Sequence, residues 1–269
     1  MTSNSPGVRN RGVWAPGEGG AAPRLDPVTV EAPLEIRVAG EPIVVVMRTP
    51  GHDRELAVGM ALAEGWATVA AEIEVTRPPA AELHPEEVGN VVELALPGGL
   101  RPKARRVASS SCGVCGKQAI ADLELRASPV SSAIVVSAQT VSGLPEALRA
   151  EQHDFEQTGG VHAAGLFGAG GDRLCIREDV GRHNAVDKVL GWAAHAALDP
   201  SDLVLCVSGR VSFEIVQKVV VASVPIIAAV SAPSTLAIDV AERFRITLCG
   251  FVRGPGFNVY SHSTRISSQ

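Results

Sequence analysis

The sequence predicts an α/β fold, with a main α/β domain over residues 111–269 and a smaller β-rich subdomain before it. From residue 142 onward, short apolar runs of strand-like composition alternate with longer segments of helical periodicity. Strands that alternate with helices form crossover units, so we expect a mainly parallel sheet covered by helices on both faces. The expected strands cover residues 161–167, 174–177, 203–207, 225–230 and 247–252, and the expected helices cover 144–155, 184–197, 213–222 and 233–243.

The amino-terminal part of the chain divides into a tail and a subdomain. Residues 1–26 are rich in Gly, Pro, Ser and Arg without hydrophobic periodicity, which predicts a disordered tail. Residues 27–110 show strand-like alternation and predict the smaller β-rich subdomain. Its expected elements are a hairpin of strands over 34–38 and 43–47, a helix over 53–64 and two further strands over 73–76 and 91–96.

The charge balance argues against two classes of partner. The chain has 24 Lys and Arg against 29 Asp and Glu, a formal net charge of −5. Such a chain has no global basic field that would gather nucleic acid or an anionic membrane. Its apolar runs are broken by Ser223 and Pro225 and are too short to span a bilayer. We therefore expect a cytoplasmic protein that binds neither nucleic acid nor membrane.

The subdomain ends in a long flexible loop that leads to two closely spaced thiols, Cys112 and Cys115. The loop is basic at Lys103, Arg105 and Arg106. Two thiols at this spacing can form a disulfide, supply half of a zinc site or present one activated thiolate. A helix expected over 117–124 would place partial positive charge near the first thiol, which favours a nucleophilic thiolate at Cys112.

Other chemistries for the thiol pair are less well supported. A structural zinc site needs two more ligands, and the sequence has no second Cys pair or close Cys/His pair. Zinc deaminases need a His-x-Glu before their Pro-Cys-x-x-Cys, whereas here Ala163 and Ala164 follow His162 and the thiols precede it. A thioredoxin-type exchanger remains a rival. The single cysteines Cys175, Cys206 and Cys249 lie in apolar, strand-like surroundings and are expected to be structural.

Three turns in the second half combine small, hydroxyl and basic residues as phosphate-binding turns do. They cover residues 179–184, 208–212 and 231–235, and each enters an expected helix. In an open α/β sheet such turns converge on one crevice, although each is also explained by ordinary helix capping. Neither a P-loop nor a Rossmann glycine motif is present. His183 and Asp187 are four residues apart on one expected helix and could pair there.

These segments together resemble the FdhD/NarQ family, the formate dehydrogenase accessory sulfurtransferases. The resemblance covers nearly everything beyond the first 25 residues, and its REDVGRHN run is highly specific. The matching stretches are TPG at 49–51, ELA at 55–57, EG at 64–65, SCGVCG at 111–116, TGGVHAA at 158–164, REDVGRHNAVDK at 177–188, SGR at 208–210, SFE at 212–214 and NVYSH at 258–262.

The resemblance implies a sulfur carrier. Such a protein takes sulfur from a cysteine desulfurase as a persulfide and passes it to the molybdenum bis(molybdopterin guanine dinucleotide) cofactor before insertion into the formate dehydrogenase apoenzyme. The persulfide would form on Cys112, with Cys115 secondary. The resemblance also implies a homodimer and a main domain of cytidine-deaminase-like α/β/α fold that lacks the zinc site. Its cofactor contacts map onto Phe251, Val252, Arg253, Gly254, Pro255 and Gly256.

Two other functions stay open from the residues alone. A cofactor chaperone would bind the guanine nucleotide without using either thiol, and a thiol-disulfide oxidoreductase would need both thiols equally. The segment 251–262 has the cation, glycines, aromatics and amides to hold a nucleotide, or it is only a hairpin turn.

Overall fold

The computed structural model describes residues 5–15, 22–100, 102, 120–121 and 123–268. The thiol pair Cys112 and Cys115, and the basic positions 103, 105 and 106, therefore lie outside the described residues. Of the helix expected over 117–124, residues 120, 121, 123 and 124 are described, and they are helical.

The chain begins with an antiparallel hairpin of β1 (Val8–Ala15) and β2 (Ala22–Thr29). The expectation of a disordered tail over residues 1–26 was wrong for these strands. Most of their side chains are exposed, Trp14 and Leu25 both by 72%. A strand whose side chains are mostly exposed needs no alternating apolar pattern, and so the periodicity gave no sign of it.

A four-stranded sheet and one helix form the amino-terminal subdomain. The strands are β3 (Ala32–Val38), β4 (Glu41–Arg48), β5 (Glu74–Thr76) and β6 (Val91–Ala95), in the order β4-β3-β6-β5, and α1 (Asp53–Ala63) follows β4. Leu34, Ile36, Leu56 and Leu94 are fully buried in a shared core. The expected hairpin, helix and two further strands are confirmed.

The second part of the chain holds the other elements. They are β7 (Val136–Ser137), α2 (Ala138–Arg149), α3 (His153–Thr158), β8 (His162–Gly168), β9 (Arg173–Asp179), α4 (Arg182–His195), β10 (Leu203–Val207), α5 (Phe213–Val221), β11 (Ile226–Ala229), α6 (Thr235–Arg243), β12 (Thr247–Arg253), β13 (Gly256–Ser261) and β14 (Ile266–Ser267).

Six of these strands form one mixed sheet in the order β13-β12-β11-β10-β8-β9. Only the β10–β11 and β11–β12 pairs are parallel, whereas the β8–β9, β8–β10 and β12–β13 pairs are antiparallel. The expectation of a mainly parallel sheet was therefore correct only for its centre. The β8–β9 and β12–β13 connections are tight turns at residues 169–172 and 254–255, too short for the crossover that a parallel pair requires.

Helices cover both faces of this sheet, as expected. Along β10, Val204 and Cys206 point into the core that contains α2, and Leu205 and Val207 point into the core that contains α4, α5 and α6. Successive residues of a strand face opposite sides, so one apolar run supplies both cores. The result is a helix–sheet–helix arrangement.

The helix expected over 144–155 is two helices in the structure. α2 begins earlier, because the Ser137 hydroxyl accepts a hydrogen bond from the Thr140 amide at 2.9 Å. α3 is a separate helix whose Asp154 and Phe155 amides donate to the Glu178 carboxylate at 2.8 and 2.9 Å. Glu178 lies on β9, so this cap is a tertiary contact that local periodicity does not reveal.

The two parts of the molecule meet where α1 packs against α4. Beside this contact, Arg177 of β9 donates two hydrogen bonds to the Glu55 carboxylate of α1, at 2.6 and 2.8 Å. Among the described residues, no helix has the length and apolar character needed to cross a bilayer.

Candidate functional site

The three turns predicted to converge do so at one edge of the six-stranded sheet. Val211 pairs with Pro233 in a parallel bridge, and the Val211 amide donates to the Ala232 carbonyl at 3.1 Å. On the other side, a Cβ added at Gly209 would lie 3.7 Å from the Arg182 side chain. Turn 208–212 therefore lies between turns 179–184 and 231–235. We call the space that they surround the crevice.

The amino-terminal end of β8 also reaches the crevice. The Ala163 amide donates to the Ser208 hydroxyl at 2.9 Å, and the Ser208 amide donates to the Ala163 carbonyl at 3.0 Å. These bonds place the His162 side chain beside Gly209, whose added Cβ would lie 3.4 Å from His162 Nδ1. His162 was among the residues of the family resemblance, but the sequence assigned it no role.

The hairpin between β12 and β13 stands next to turn 231–235. The Phe251 amide donates to the Ser231 carbonyl at 3.2 Å, and Arg253 Nε donates to the Val230 carbonyl at 3.1 Å. Both side chains are exposed. Two of the residues expected to contact the cofactor therefore lie at the rim of the crevice.

The other four expected cofactor residues differ in what they can offer. Gly254 adopts a left-handed φ of 54° and forms the turn with Pro255, and Gly256 begins β13. All three are exposed. Val252 is fully buried in the core beneath α2, so a ligand outside could meet only its backbone.

Cations and neutral imidazoles line the crevice. The pKa of His162 is lowered by burial and then by the positive charges of Arg182 and Arg210. The pKa of His183 is lowered to about 4, by burial and then by Arg182 and Lys218. Both imidazoles are therefore uncharged near neutral pH, and the positive charge of the crevice comes from its arginines.

Arg182 is the strongest candidate for holding an anion. Its Nε is buried and has no hydrogen-bond partner within the described part of the chain. A buried donor without a partner costs on the order of 1–3 kcal/mol, and an anionic oxygen in the crevice would relieve that cost. Arg182 is also the first residue of α4, where free backbone amides favour negative charge.

His183 does not pair with Asp187, as the sequence suggested that it could. Its Nε2 lies 3.2 Å from the Ser212 hydroxyl and 3.8 Å from Glu214 Oε2. Asp187 accepts two hydrogen bonds from Lys218 instead, at 2.7 and 2.9 Å. The ammonium of α5 is a stronger partner for a buried carboxylate than a neutral imidazole on the same helix.

A pocket of about 530 Å³ opens beside the crevice. It shares His162, Ser208 and Val230 with the crevice, and Leu148, Phe155 and Gly159 line its inner part. The Arg149 guanidinium lies over the Phe155 ring, 4.4 Å from the ring centroid. An apolar pocket with a stacked cation next to two arginines suits a planar ring that carries phosphate groups. Arg149 and Phe155 could not be assigned to the site from the sequence, because only the break between α2 and α3 brings them here.

Several residues of the stretch 177–188 stabilise the crevice from behind and do not line it. Asp179 and Lys188 are fully buried, with Lys188 Nζ 2.7 Å from Asp179 Oδ2. Asp179 also accepts from the Thr49 amide at 3.1 Å and from the Asn184 side chain at 2.9 Å. These bonds tie the end of β4 to the turn that carries Arg182.

The single cysteines are structural, as expected. Cys175, Cys206 and Cys249 are buried, and burial raises the pKa of each thiol to about 12. They are thus poor nucleophiles at neutral pH. Within the described ranges, no group of three or more His, Cys, Asp or Glu side chains could hold a metal ion.

Comparison with known proteins identifies relatives over most of the chain. The model of the FdhD/NarQ family matches residues 29–267. The sulfur carrier protein FdhD of Mycobacterium tuberculosis (strain ATCC 25618 / H37Rv) is 44% identical over 257 residues, which cover 91% of this chain and 93% of the relative. The protein of the same name from Nocardia farcinica (strain IFM 10152) is 45% identical over 253 residues, which cover 91% and 90%.

A solved structure shares the fold. It is a crystal structure from Desulfotalea psychrophila, assigned provisionally as a formate dehydrogenase accessory protein. It superposes with a TM-score of 0.79 at 23% sequence identity and covers 97% of this chain and 100% of its own. At that identity the likeness concerns the mixed α/β architecture alone.

Proposed function

This chain belongs to the FdhD/NarQ family, and we propose that it is a sulfur carrier in the maturation of a formate dehydrogenase. The family match and two relatives named as sulfur carriers support this function. The crevice supports the finer part of the proposal, in which the sulfur is delivered to a cofactor with a guanine nucleotide end.

The sulfur would be carried on Cys112. A thiolate at Cys112 attacks the outer sulfur of a persulfide on a cysteine desulfurase; a new S–S bond forms as the old one breaks, and the desulfurase thiolate leaves. Cys112 then holds the persulfide. On delivery the S–S bond would break, the Cys112 thiolate would leave, and the outer sulfur would pass to the reduced cofactor, which supplies the electron pair for the new bond. Cys115 is the nearest second thiol in the sequence and is secondary in this scheme.

The single observation that carries the cofactor proposal is the convergence of Arg182, Arg210 and the β12–β13 hairpin at one edge of the sheet. Arg182 has a buried Nε for a phosphate oxygen, and this atom has no hydrogen-bond partner among the described residues. Arg210 adds positive charge to the crevice, since its charge helps to lower the pKa of His162. The pocket beside Phe155 would take the guanine ring, and Phe251 and Arg253 would contact the nucleotide from the rim.

We further propose the assembly and setting that the resemblance implies. The protein would work in the cytoplasm as a homodimer, with the cysteine desulfurase and the formate dehydrogenase apoenzyme as partners and molybdenum bis(molybdopterin guanine dinucleotide) as its bound substrate. The helix–sheet–helix main domain would be a cytidine-deaminase-like fold without that fold's zinc site.

Mass spectrometry of the intact protein tests the persulfide step. The reduced protein is incubated with a cysteine desulfurase and cysteine, alongside Cys112→Ala and Cys115→Ala. We expect wild type and Cys115→Ala to gain one sulfur atom and Cys112→Ala to gain none. Equal loading of Cys112→Ala would refute the assignment of the carrier thiol.

The crevice also favours a second function, a cofactor chaperone that binds the nucleotide without using a thiol. Among the described residues, none of the groups that form the crevice is a cysteine. The chaperone function predicts that a Cys112→Ala/Cys115→Ala double variant still supports formate dehydrogenase maturation. The sulfur-carrier function predicts that it does not. A disulfide oxidoreductase would instead reduce the disulfides of a substrate such as insulin, and would need both thiols to do so.

A further inference from the structure

A cavity of about 670 Å³ lies at the edge of the six-stranded sheet opposite to the crevice. It is bounded by the carboxyl-terminal ends of α1, α4 and α5 and by the starts of β10 and β11. The crevice lies at the other ends of α4 and α5. The proposed function uses none of the residues in this cavity.

The described wall of the cavity is mostly apolar. Aliphatic side chains form most of it, including Leu62, Ala193, Leu198 and Val221. Among the described residues that line it, Lys218 and Arg126 are the charged ones, and none is Asp or Glu. Cavities of this size with a few polar groups in an apolar wall are the usual form of small-molecule sites.

Lys218 provides a buried hydrogen-bond donor at this wall. The residue is only 9% exposed. Its ammonium donates to both carboxylate oxygens of Asp187, at 2.7 and 2.9 Å. An ammonium has three N–H donors, and no third acceptor is found among the described residues. The remaining donor suits a ligand with an oxygen acceptor.

The three helix ends at the cavity satisfy part of their last carbonyls within the chain. Each helix is followed by a left-handed residue: Gly65, Ala197 and Ser223, with φ of 74°, 51° and 58°. One residue later, the amides of Trp66, Leu198 and Val224 donate back into their helices at 2.8, 3.2 and 3.1 Å. This arrangement leaves fewer free carbonyls to attract a cationic ligand.

From these observations we propose that the cavity binds an elongated apolar molecule with an oxygen acceptor at one end. The acceptor receives the third N–H of Lys218, and the chain lies along the aliphatic wall. Arg126, which donates to the Glu64 carbonyl at 3.0 Å, adds a second positive charge at the opening. A carboxylate is the acceptor that these two cations favour most.

A matched pair of probes tests the proposal on the full-length protein. Octanoate and octylammonium share one apolar chain but carry an acceptor and a donor head group. Two-dimensional amide NMR follows each titration. We expect saturable shifts at Leu62, Leu198 and Val221 with octanoate, and binding of octylammonium weaker by about tenfold or more, the scale of one charge-assisted hydrogen bond.

Two variants test where the ligand sits and what holds its head group. Ala222→Phe places a ring in the cavity, and Ala147→Phe is the control, since Ala147 is a similarly half-buried alanine under the opposite face of the sheet. Only Ala222→Phe should abolish octanoate binding. The Asp187→Asn/Lys218→Gln double variant removes both buried charges together and should bring the two probes to similar affinity.

Each other result would overturn the proposal. Octylammonium binding as tightly as octanoate would show that the cavity has no preference for an oxygen acceptor, and therefore that Lys218 does not hold the head group. Absence of saturable binding, or octanoate binding that survives Ala222→Phe, would show that the cavity is not the site. A dimer that buries Leu62 and Val221 in solution would show that a second copy covers it.

Discussion

The backbone carbonyl of Asp187 occupies the place where Gly59 would carry a side chain. A Cβ built on Gly59 in α1 would lie 2.0 Å from that oxygen in α4, and a Cβ on Gly191 would lie 2.0 Å from the Glu55 carbonyl. The two helices cross at backbone contact through this reciprocal pair of glycines. The crossing joins the amino-terminal subdomain to the helix that carries Arg182 and His183.

Replacement of Gly59 by alanine is expected to destabilise the protein by about 1–3 kcal/mol, because the helices must move apart. Gly143 in α2 is the matched control. A Cβ there meets nothing within 4 Å, so Gly143→Ala should raise the free energy of unfolding by roughly 0.5–1 kcal/mol through helix propensity. Urea unfolding followed by circular dichroism measures both. If both substitutions changed the free energy of unfolding in the same way, α1 and α4 would not be in backbone contact at Gly59.

Lys188→Met is expected to cost about 3–5 kcal/mol of stability, because it leaves the buried Asp179 carboxylate without its cation. The two groups lie 2.7 Å apart, and the Lys188 ammonium also donates to the Thr49 carbonyl at 2.9 Å. Arg243→Met is the control at an exposed ion pair with Glu124 and should cost no more than about 1 kcal/mol. Urea unfolding of both variants and wild type measures the difference: the midpoint concentration should fall while the dependence of the unfolding free energy on urea concentration stays the same.

The Glu55–Arg177 pair should make stability depend on acid pH. Burial alone would raise the pKa of Glu55, but hydrogen bonds from Arg177 and His52 outweigh it and lower the pKa from 4.5 to about 2. A lowered pKa in the folded state stabilises the protein above pH 4.5, and this contribution is lost as the pH falls toward 2.

The comparison of wild type with Glu55→Gln measures that contribution. The difference in their free energies of unfolding should be constant near neutral pH and shrink between pH 4.5 and 2. If the difference in free energy of unfolding stayed constant over this interval, the Glu55–Arg177 pair would make no pH-dependent contribution to stability. Chemical unfolding at several pH values provides the measurement.

GDP serves as a probe of the guanine nucleotide end of the cofactor. We expect its binding to weaken by about tenfold in Arg182→Gln and in Arg210→Gln, because each variant loses one charge-assisted contact. Arg173→Gln is the control. Arg173 is an exposed arginine that pairs with Glu151, and it is the first residue of β9, at the opposite end of that strand from the crevice. Isothermal titration at two salt concentrations measures binding. If Arg173→Gln weakened binding as much, the effect would be one of overall charge and not of the crevice.

Elements that depend on neighbouring residues could be predicted from the sequence, and elements that depend on contacts between distant residues could not. Strands β8 to β12 and most helices of the main domain could be predicted, because each apolar run buries its own side chains, as Val204 and Leu205 do on opposite faces of β10. The convergence of the three turns followed from the parallel centre of the sheet. The separate helix α3 could not be predicted, because its amino-terminal cap is Glu178, some twenty residues away in the chain.

By itself, the sequence determined the local elements, the family resemblance and the small and basic turns, because these depend on neighbouring residues. The tertiary structure alone decided that Asp187 pairs with Lys218 rather than His183, that Val252 faces the core, and that Arg149, Phe155 and His162 line one pocket. It also showed that residues 8–15 and 22–29 form a hairpin. Each of these outcomes depends on groups brought together only when the layers pack, and burial then makes one partner far more favourable than the others.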